Sequence, residues 1–169
     1  MTNKYTGIRM ERKNGLFTVK TQLFLPRPLR EVFPFFADAG NLERITPPWL
    51  HFKILTPRPI VMREGTIIDY QLRIRGFRVH WQSEITGWEP PHRFVDVQRR
   101  GPYREWIHEH TFTDCGDGSE IRDYVQYAPP GGWLANFLFV QRDIRKIFNY
   151  RTQELRAIFI VKNNSIIRG

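Results

Sequence analysis

From residue 16 to residue 128 apolar and polar positions alternate mostly with a period of two, and a helical period appears only in a short early stretch and near the C-terminus. The run LFTVKTQLFL, residues 16–25, predicts a first strand closed by Pro26. Pro28 then stands where a helix tolerates proline, in its first turn, and Leu29, Val32, Phe33 and Phe36 form an apolar face. Pro34 falls inside that pattern and predicts a short or kinked helix. Asp38 or Asn41 can cap a second short helix running to about Ile45. Two prolines in ITPPWL release the chain into a strand over about 50–55, and strands follow at 65–75, 77–88, 93–100, 103–113 and 120–128. Gly76, Pro90-Pro91, Gly101-Pro102 and Gly116-Asp117-Gly118 mark the turns, so these strands form an antiparallel meander. Gly131-Gly132 releases a long helix to about Ile160. Its predicted stripe is Leu134, Phe137, Leu138, Ile144, Phe148, Leu155 and Phe159, with Arg142, Arg145, Lys146 and Arg156 largely outside it.

This order predicts an α+β fold: a seven-stranded, curved antiparallel sheet wrapped around a long C-terminal helix, with two short helices between the first two strands. One helix does not fill a strongly curved sheet, so a cavity between the two is expected. The whole chain, 1–169, reads as one domain with its core over about 16–160. Residues 1–15 read as a flexible basic leader and 161–169 as a flexible tail.

Composition adds limits. Hydrophobic residues make up 41% of the 169 and aromatics 14%, as in globular proteins. No apolar run approaches a membrane span, and MTNKYTGIRMERKNG has no apolar segment of a secretory signal, which suits the cytoplasm. Cys115 is the only cysteine, so an internal disulfide and a tetrahedral cysteine zinc site are excluded. The net charge of +9 is carried mainly by arginines, clustered at Arg73, Arg75 and Arg78, at Arg99, Arg100 and Arg104, and with Lys146 at Arg142 and Arg145. Such clusters suit nucleic acid, anionic lipid or an acidic partner, or simply a solvated surface.

The chemistry concentrates in WIHEH. On a strand, Trp106, His108 and His110 share a face with Phe112. By the same parity Phe94, Asp96 and Gln98 share a face, as do Asp123, Val125 and Tyr127, and Trp81, Ser83 and Ile85. Each set mixes apolar and polar groups, as an interior with hydrogen-bonded polar groups would. The two histidines with Asp96 or Asp123 could approach one ion, but no third ligand stands at a defined spacing, and neither metal nor cofactor is expected. As an acid–base site, His108 or His110 beside Asp96 or Asp123 could abstract a proton next to a carbonyl, with Tyr127 or Tyr103 stabilising the developing charge. Arginines near Tyr103 and Trp106 also resemble basic-plus-aromatic RNA surfaces, but no RNP-type motif, KH loop or basic recognition helix is present.

The segments VFPFFADAGNLERITPPWLHFKIL, ITGWEPPHRFVDVQRRGPYREWIHEHTF and IRDYVQYAPPGG, with the long final helix, resemble the SRPBCC superfamily. That superfamily shares the helix-grip fold with START domains, birch-pollen-allergen-like proteins and polyketide cyclase/dehydrase-like proteins. The resemblance covers about residues 16–160. It is nearest to small bacterial ligand-binding members, whose recurrent words match at Trp88–Pro91, Gly101–Tyr103, Trp106–His110 and Asp123–Tyr127. It implies a cavity for a hydrophobic or amphipathic small molecule (lipid, polyketide-like or aromatic), lined by Trp81, Phe94, Asp96, Gln98, Trp106, His108, His110, Asp123 and Tyr127. Gly131-Gly132 and Thr46–Trp49 are expected at its mouth. A carrier is the leading expectation. A cyclase/dehydratase-type enzyme using His108, His110 and Asp96 is the alternative, and an RNA- or protein-binding module using the basic surface is the second.

Overall fold

The computed structural model describes residues 6–13 and 15–160. Alternation in TGIRMERK is enough to build a strand where a flexible leader was expected. Thr6–Lys13 (β1) pairs antiparallel with Leu16–Leu25 (β2), its Ile8 and Met10 packing on the core while Arg9 and Glu11 face solvent. The sheet therefore has eight strands, one more than the pattern predicts. Residues 1–5 and 14, and the expected tail 161–169, lie outside the described residues.

The remaining strands are β3 (Lys53–Ile54), β4 (Ile67–Ile74), β5 (Phe77–Glu89), β6 (Arg93–Arg100), β7 (Glu105–Asp114) and β8 (Ser119–Ala128). Their order across the sheet is β1-β2-β8-β7-β6-β5-β4-β3, with every neighbouring pair antiparallel. The strand expected over 50–55 shrinks to two residues. Pro48–Leu50 forms a 3-10 turn instead, and His51 takes a φ of 43°, which is incompatible with pairing. In β5 the register slips between Gln82 and Ser83 and again between Ile85 and Gly87. Each slip bends the strand and increases the local twist, which curls the sheet toward its concave face.

Two short helices carry the chain from β2 to β3 at the far edge. α1 (Leu29–Ala37) runs through Pro34 and buries Leu29, Val32, Phe33 and Phe36. The Asp38 carboxylate then accepts from the Gly40 N–H at 2.8 Å, opening the 3-10 turn that leads into α2 (Leu42–Ile45).

The C-terminal helix crosses the concave face in three parts: α3 (Gly132–Ala135), a π turn (Asn136–Val140) and α4 (Gln141–Phe159). Gly131 and Gly132 both have positive φ, 75° and 65°, so the reversal out of β8 needs glycine at two successive positions. α4 buries Ile144, Phe148, Leu155 and Phe159, as its spacing predicts. The first part of the predicted stripe does not follow. Leu134 (51% exposed) and Phe137 (73%) face outward, and Leu138 (49%) is half exposed at the edge of the space between helix and sheet. The cause is the π turn, which inserts one extra residue and so rotates everything upstream by roughly 100° relative to the stripe of α4. Asn136, buried in that turn, accepts the Tyr127 hydroxyl at 2.8 Å and fixes the rotated segment to β8.

Candidate functional site

Three apolar clusters make up the core among the described residues. One joins α1 to the end of α4 through Phe33, Phe36, Phe112 and Phe159, and another packs Ile144 and Phe148 on Val19, Val125 and Tyr127. A third cluster, Ala39, Ile54, Ile68 and Tyr70, packs the turn after α1 on β3 and β4, and Trp88 of β5 packs on the first. The space left between α4 and the concave sheet is a cavity of about 1080 Å³. Trp81, Tyr103 and Trp106 form one aromatic wall, with Trp81 5.3 Å from Trp106 and 5.6 Å from Tyr103 between ring centroids.

Of the residues singled out from sequence, Trp81, Phe94, Asp96, Trp106, His108 and His110 line this cavity. Asp123 stands behind the histidines, away from the cavity surface. Gln98 is engaged locally, donating to the Tyr103 carbonyl at 2.7 Å. Tyr127 lies beyond the cavity, and burial pushes its pKa up to about 12, so it stays a neutral donor to Asn136. Thr46 and Trp49 do border the cavity, whereas on the other side the border is Pro130 and Ala135 rather than the two glycines between them.

The sequence reading missed Arg151, which enters the cavity from α4. A signal was present: Ile144, Phe148, Arg151, Leu155 and Phe159 follow the spacing of a single helix face, so Arg151 occupies an inward position.

Register brings the polar groups together. Asp96 sits opposite His108 across β6 and β7, and His110 sits opposite Asp123 across β7 and β8. The imidazoles lie against each other with ring centroids 3.8 Å apart, and each bridges both carboxylates. His108 Nε2 is 3.2 Å from Asp123 Oδ1 and its Nδ1 is 3.7 Å from Asp96 Oδ2. His110 Nε2 is 3.2 Å from Asp96 Oδ2. Its Nδ1 is 2.8 Å from Asp123 Oδ1, but the alignment falls short of a hydrogen bond, leaving charge attraction as the contact. Thr21 Oγ1 donates to Asp123 Oδ2 at 2.9 Å, and Arg151 Nη2 lies 3.8 Å from Asp123 Oδ1.

Burial opposes ionisation of all four groups, and the neighbours decide the outcome. For Asp123, burial is outweighed by the Arg151 guanidinium and the His108 and His110 contacts, which hold its carboxyl well below the usual range. For Asp96, burial is outweighed by His110 and His108, and its pKa is also lowered. His110 is raised, because Asp123 and Asp96 overcome its burial. Burial and the charge of His110 win at His108, whose pKa is lowered. Of the two histidines His110 is therefore the one that binds the proton more tightly, beside two ionised carboxylates and the Arg151 guanidinium. One donor atom each from Asp96, His108 and His110 lie within 4.8 Å of one another, a spacing that could hold a metal ion. Such an ion would compete with the His110 proton and sit beside the Arg151 charge.

This arrangement sets the pH dependence of stability. The histidines titrate as a pair, one above and one below the ordinary imidazole value of about 6.5. Above about pH 6.5 the folded state holds more protons than the unfolded chain, so stability falls as pH rises through the raised His110 pKa. Below about 6.5 the unfolded chain takes the proton that buried His108 refuses, so stability falls as pH falls. Asp96 and Asp123 add a further loss below about pH 4, where their unfolded forms protonate first. Chemical denaturation across this range is expected to give a maximum near pH ~6.5. A flat response through the imidazole range would show that the pair does not titrate in this way.

At the mouth, the β4–β5 hairpin meets the C-terminal helix. Its two-residue turn, Arg75-Gly76, has positive φ at both positions, 51° and 87°. Asparagine is the favoured residue where Arg75 stands, and a left-handed conformation costs other side chains about 1–2 kcal/mol. Arg75 offsets that cost across the opening: its Nε and Nη2 each lie 3.0 Å from Asp143 Oδ2, and its guanidinium is 4.5 Å from the centre of the Phe139 ring. The result is a latch between hairpin and helix.

The family model described as "Polyketide cyclase / dehydrase and lipid transport" matches residues 25–150. No curated protein sequence matches the chain. Among solved structures, protein Ms6760 from Mycobacterium smegmatis superposes with a TM-score of 0.68 at 16% identity, covering 93% of this chain and 100% of that one. TTHA0849 from Thermus thermophilus gives 0.62 at 18% identity, covering 86% and 99%. Major latex-like protein 151 from Panax ginseng gives 0.62 at 10% identity, covering 86% and 98%. At these identities the structural likeness bears on fold alone. With the element order, the helix-grip architecture and the family match in agreement, the chain belongs to the polyketide cyclase/dehydrase and lipid transport family of the SRPBCC superfamily.

Proposed function

We propose that the protein binds and carries a hydrophobic or amphipathic small molecule, of lipid, polyketide-like or aromatic type, in the cavity between sheet and C-terminal helix. The observation that carries this reading is the cavity itself: about 1080 Å³, walled by aromatic and aliphatic side chains and ending in one polar floor. Its volume is on the scale of sites that enclose small molecules, about 300–1,000 Å³. The floor also favours a particular guest. Arg151 Nε is buried without an acceptor, a cost that an oxygen on the guest would remove. An amphiphile fits, with its apolar body against Trp81, Trp106 and Phe94 and an acceptor oxygen directed at Arg151 and the histidines.

Native mass spectrometry of the purified protein, followed by solvent extraction, tests this reading. A discrete extra mass, extractable as an amphiphile, is expected. An empty protein that also fails to take up a fluorescent fatty acid or an aromatic probe below about 10 μM overturns it.

The latch adds a kinetic expectation. An exposed ion pair and a cation–π contact together are worth about 1–2 kcal/mol, so their loss should speed guest release roughly tenfold. Arg75→Asn removes both while giving the turn its favoured residue. Stopped-flow release should accelerate with the thermal midpoint unchanged or raised, and an unchanged release rate would mean that the latch does not gate the mouth.

Two adjacent histidines whose pKa values are pushed apart, His108 down and His110 up, support a second reading, an acid–base enzyme of cyclase or dehydratase type in the same cavity. A turnover assay on polyketide-type substrates separates the two: an enzyme turns them over and His108→Gln lowers that rate far more than it lowers guest affinity, whereas a carrier binds them unchanged.

A further inference from the structure

Of the large apolar side chains left exposed among the described residues, five fall in the seven-residue segment WLANFLF: Trp133, Leu134, Phe137, Leu138 and Phe139. Trp133 and Phe137, like Leu134 and Leu138, are four residues apart, so they form a continuous stripe rather than scattered exposure. A sixth, Phe77, is 77% exposed. It sits directly opposite Ile74 in the β4–β5 pair and so shares the concave side with that cavity-lining residue. The Arg75 contacts with Phe139 and Asp143 bring hairpin and helix together, so both apolar groups belong to one rim around the cavity mouth.

The fringe of this rim is basic. Arg78 on the hairpin and Arg142, Arg145 and Lys146 on α4 are exposed, and Arg73 is partly so. Residues 70–83 contain no acid, and residues 124–153 contain only Asp143, which Arg75 already engages. An apolar aromatic stripe bordered by cations on one side of a protein is the pattern of a surface that enters the headgroup region of a bilayer. The aromatics reach the acyl boundary while the cations meet lipid phosphates. A protein partner would have to bring its own acidic collar, and a nucleic acid would leave the stripe in water. No described helix is long and apolar enough to span a membrane, which is consistent with lying on one.

We propose that the Trp133–Phe139 segment and the β4–β5 turn form a docking face for an anionic lipid bilayer, holding the cavity mouth against the membrane surface. Docking is separable from the cavity's contents at Phe77, Trp133 and Phe137, which do not line the cavity, whereas Leu138, Phe139 and Arg142 border its mouth.

The test is co-sedimentation of the full chain with unilamellar vesicles, either phosphatidylcholine alone or containing about 30% phosphatidylglycerol. Binding to the anionic vesicles is expected, with little to the zwitterionic ones and a steep loss as salt is raised. Phe137→Glu and Trp133→Glu replace exposed side chains, so the thermal midpoint should not move while vesicle affinity falls at least roughly tenfold. Arg142→Glu with Arg145→Glu should lower it roughly tenfold or more, since each cation near the surface counts for about fivefold. Four results overturn the proposal. The first is no binding to anionic vesicles, and the second is equal binding by the variants. The third is a concentration-dependent dimer that Phe137→Glu disperses, and the fourth is RNA binding tighter than vesicle binding at the same salt. Guest uptake from detergent-free solution is measured separately, so loss of docking and loss of cavity binding remain distinguishable.

Discussion

Asp123→Asn is expected to cost about 3–5 kcal/mol of folding stability at neutral pH, although the side chain keeps its shape. The carboxylate is buried and faces Arg151, His108 and His110 at once. Removing its charge leaves Arg151 and His110 to share Asp96, so any proton on His110 makes an unbalanced buried cation and is released more readily. A loss of that size is a large part of the about 5–15 kcal/mol that holds a typical domain folded. The same substitution should weaken the fall in stability above about pH 6.5, because it removes one of the two carboxylates that raise His110 and leaves Asp96. Adding Arg151→Met should recover part of the loss by restoring balance. Urea denaturation of the single and double variants measures all three effects. A single-variant loss under about 1 kcal/mol, or a double variant no better than the single one, would mean that the tetrad is solvated rather than mutually compensated.

Phe112→Ala should cost a comparable amount, about 3–5 kcal/mol, for an apolar reason. Phe112 is 2% exposed and touches three other rings: Phe36 edge-on at 5.0 Å, Phe33 edge-on at 5.3 Å and Phe94 stacked at 5.8 Å. It joins α1 to β6 and β7 and closes one end of the grip. Because Phe36 and Phe94 also line the cavity, the cost should appear in function as well, as weaker guest retention. The denaturation midpoint should fall without a change in slope. A variant that is destabilised but holds its guest as tightly as the parent would show that this end of the cavity does not contact the ligand.

The architecture was legible where local pattern and tertiary demand agree. Strand parity placed Trp106, His108 and His110 on one face, and cross-strand register then had to bring Asp96 and Asp123 to them. The eighth strand was missed because its alternation, Ile8 and Met10 against Arg9 and Glu11, is brief and its charge reads as solvated leader. The exposed stripe at Trp133–Phe139 was not legible from helical spacing, because a single inserted residue in the π turn changes the phase without changing the composition. Arg151 is masked by its residue type, since arginine ordinarily faces solvent, although its position in the α4 spacing is an interior one. The Arg75 latch needs two elements distant in sequence to meet, and no local pattern carries that information.

β1 has a consequence for how copies of the protein meet. An open sheet presents two unpaired edges, and each is a template on which another chain could add a strand. At one edge stands β3, only two residues long and too short to seed a ladder. At the other stands β1, whose exposed Arg9, Glu11 and Arg12 set charge along the open side. Were the chain to begin its sheet at β2, the longer run LFTVKTQLFL would be the edge, and its apolar residues would be open to intermolecular pairing. β1 thus acts as a charged gatekeeper that covers the apolar run of β2 against intermolecular strand pairing.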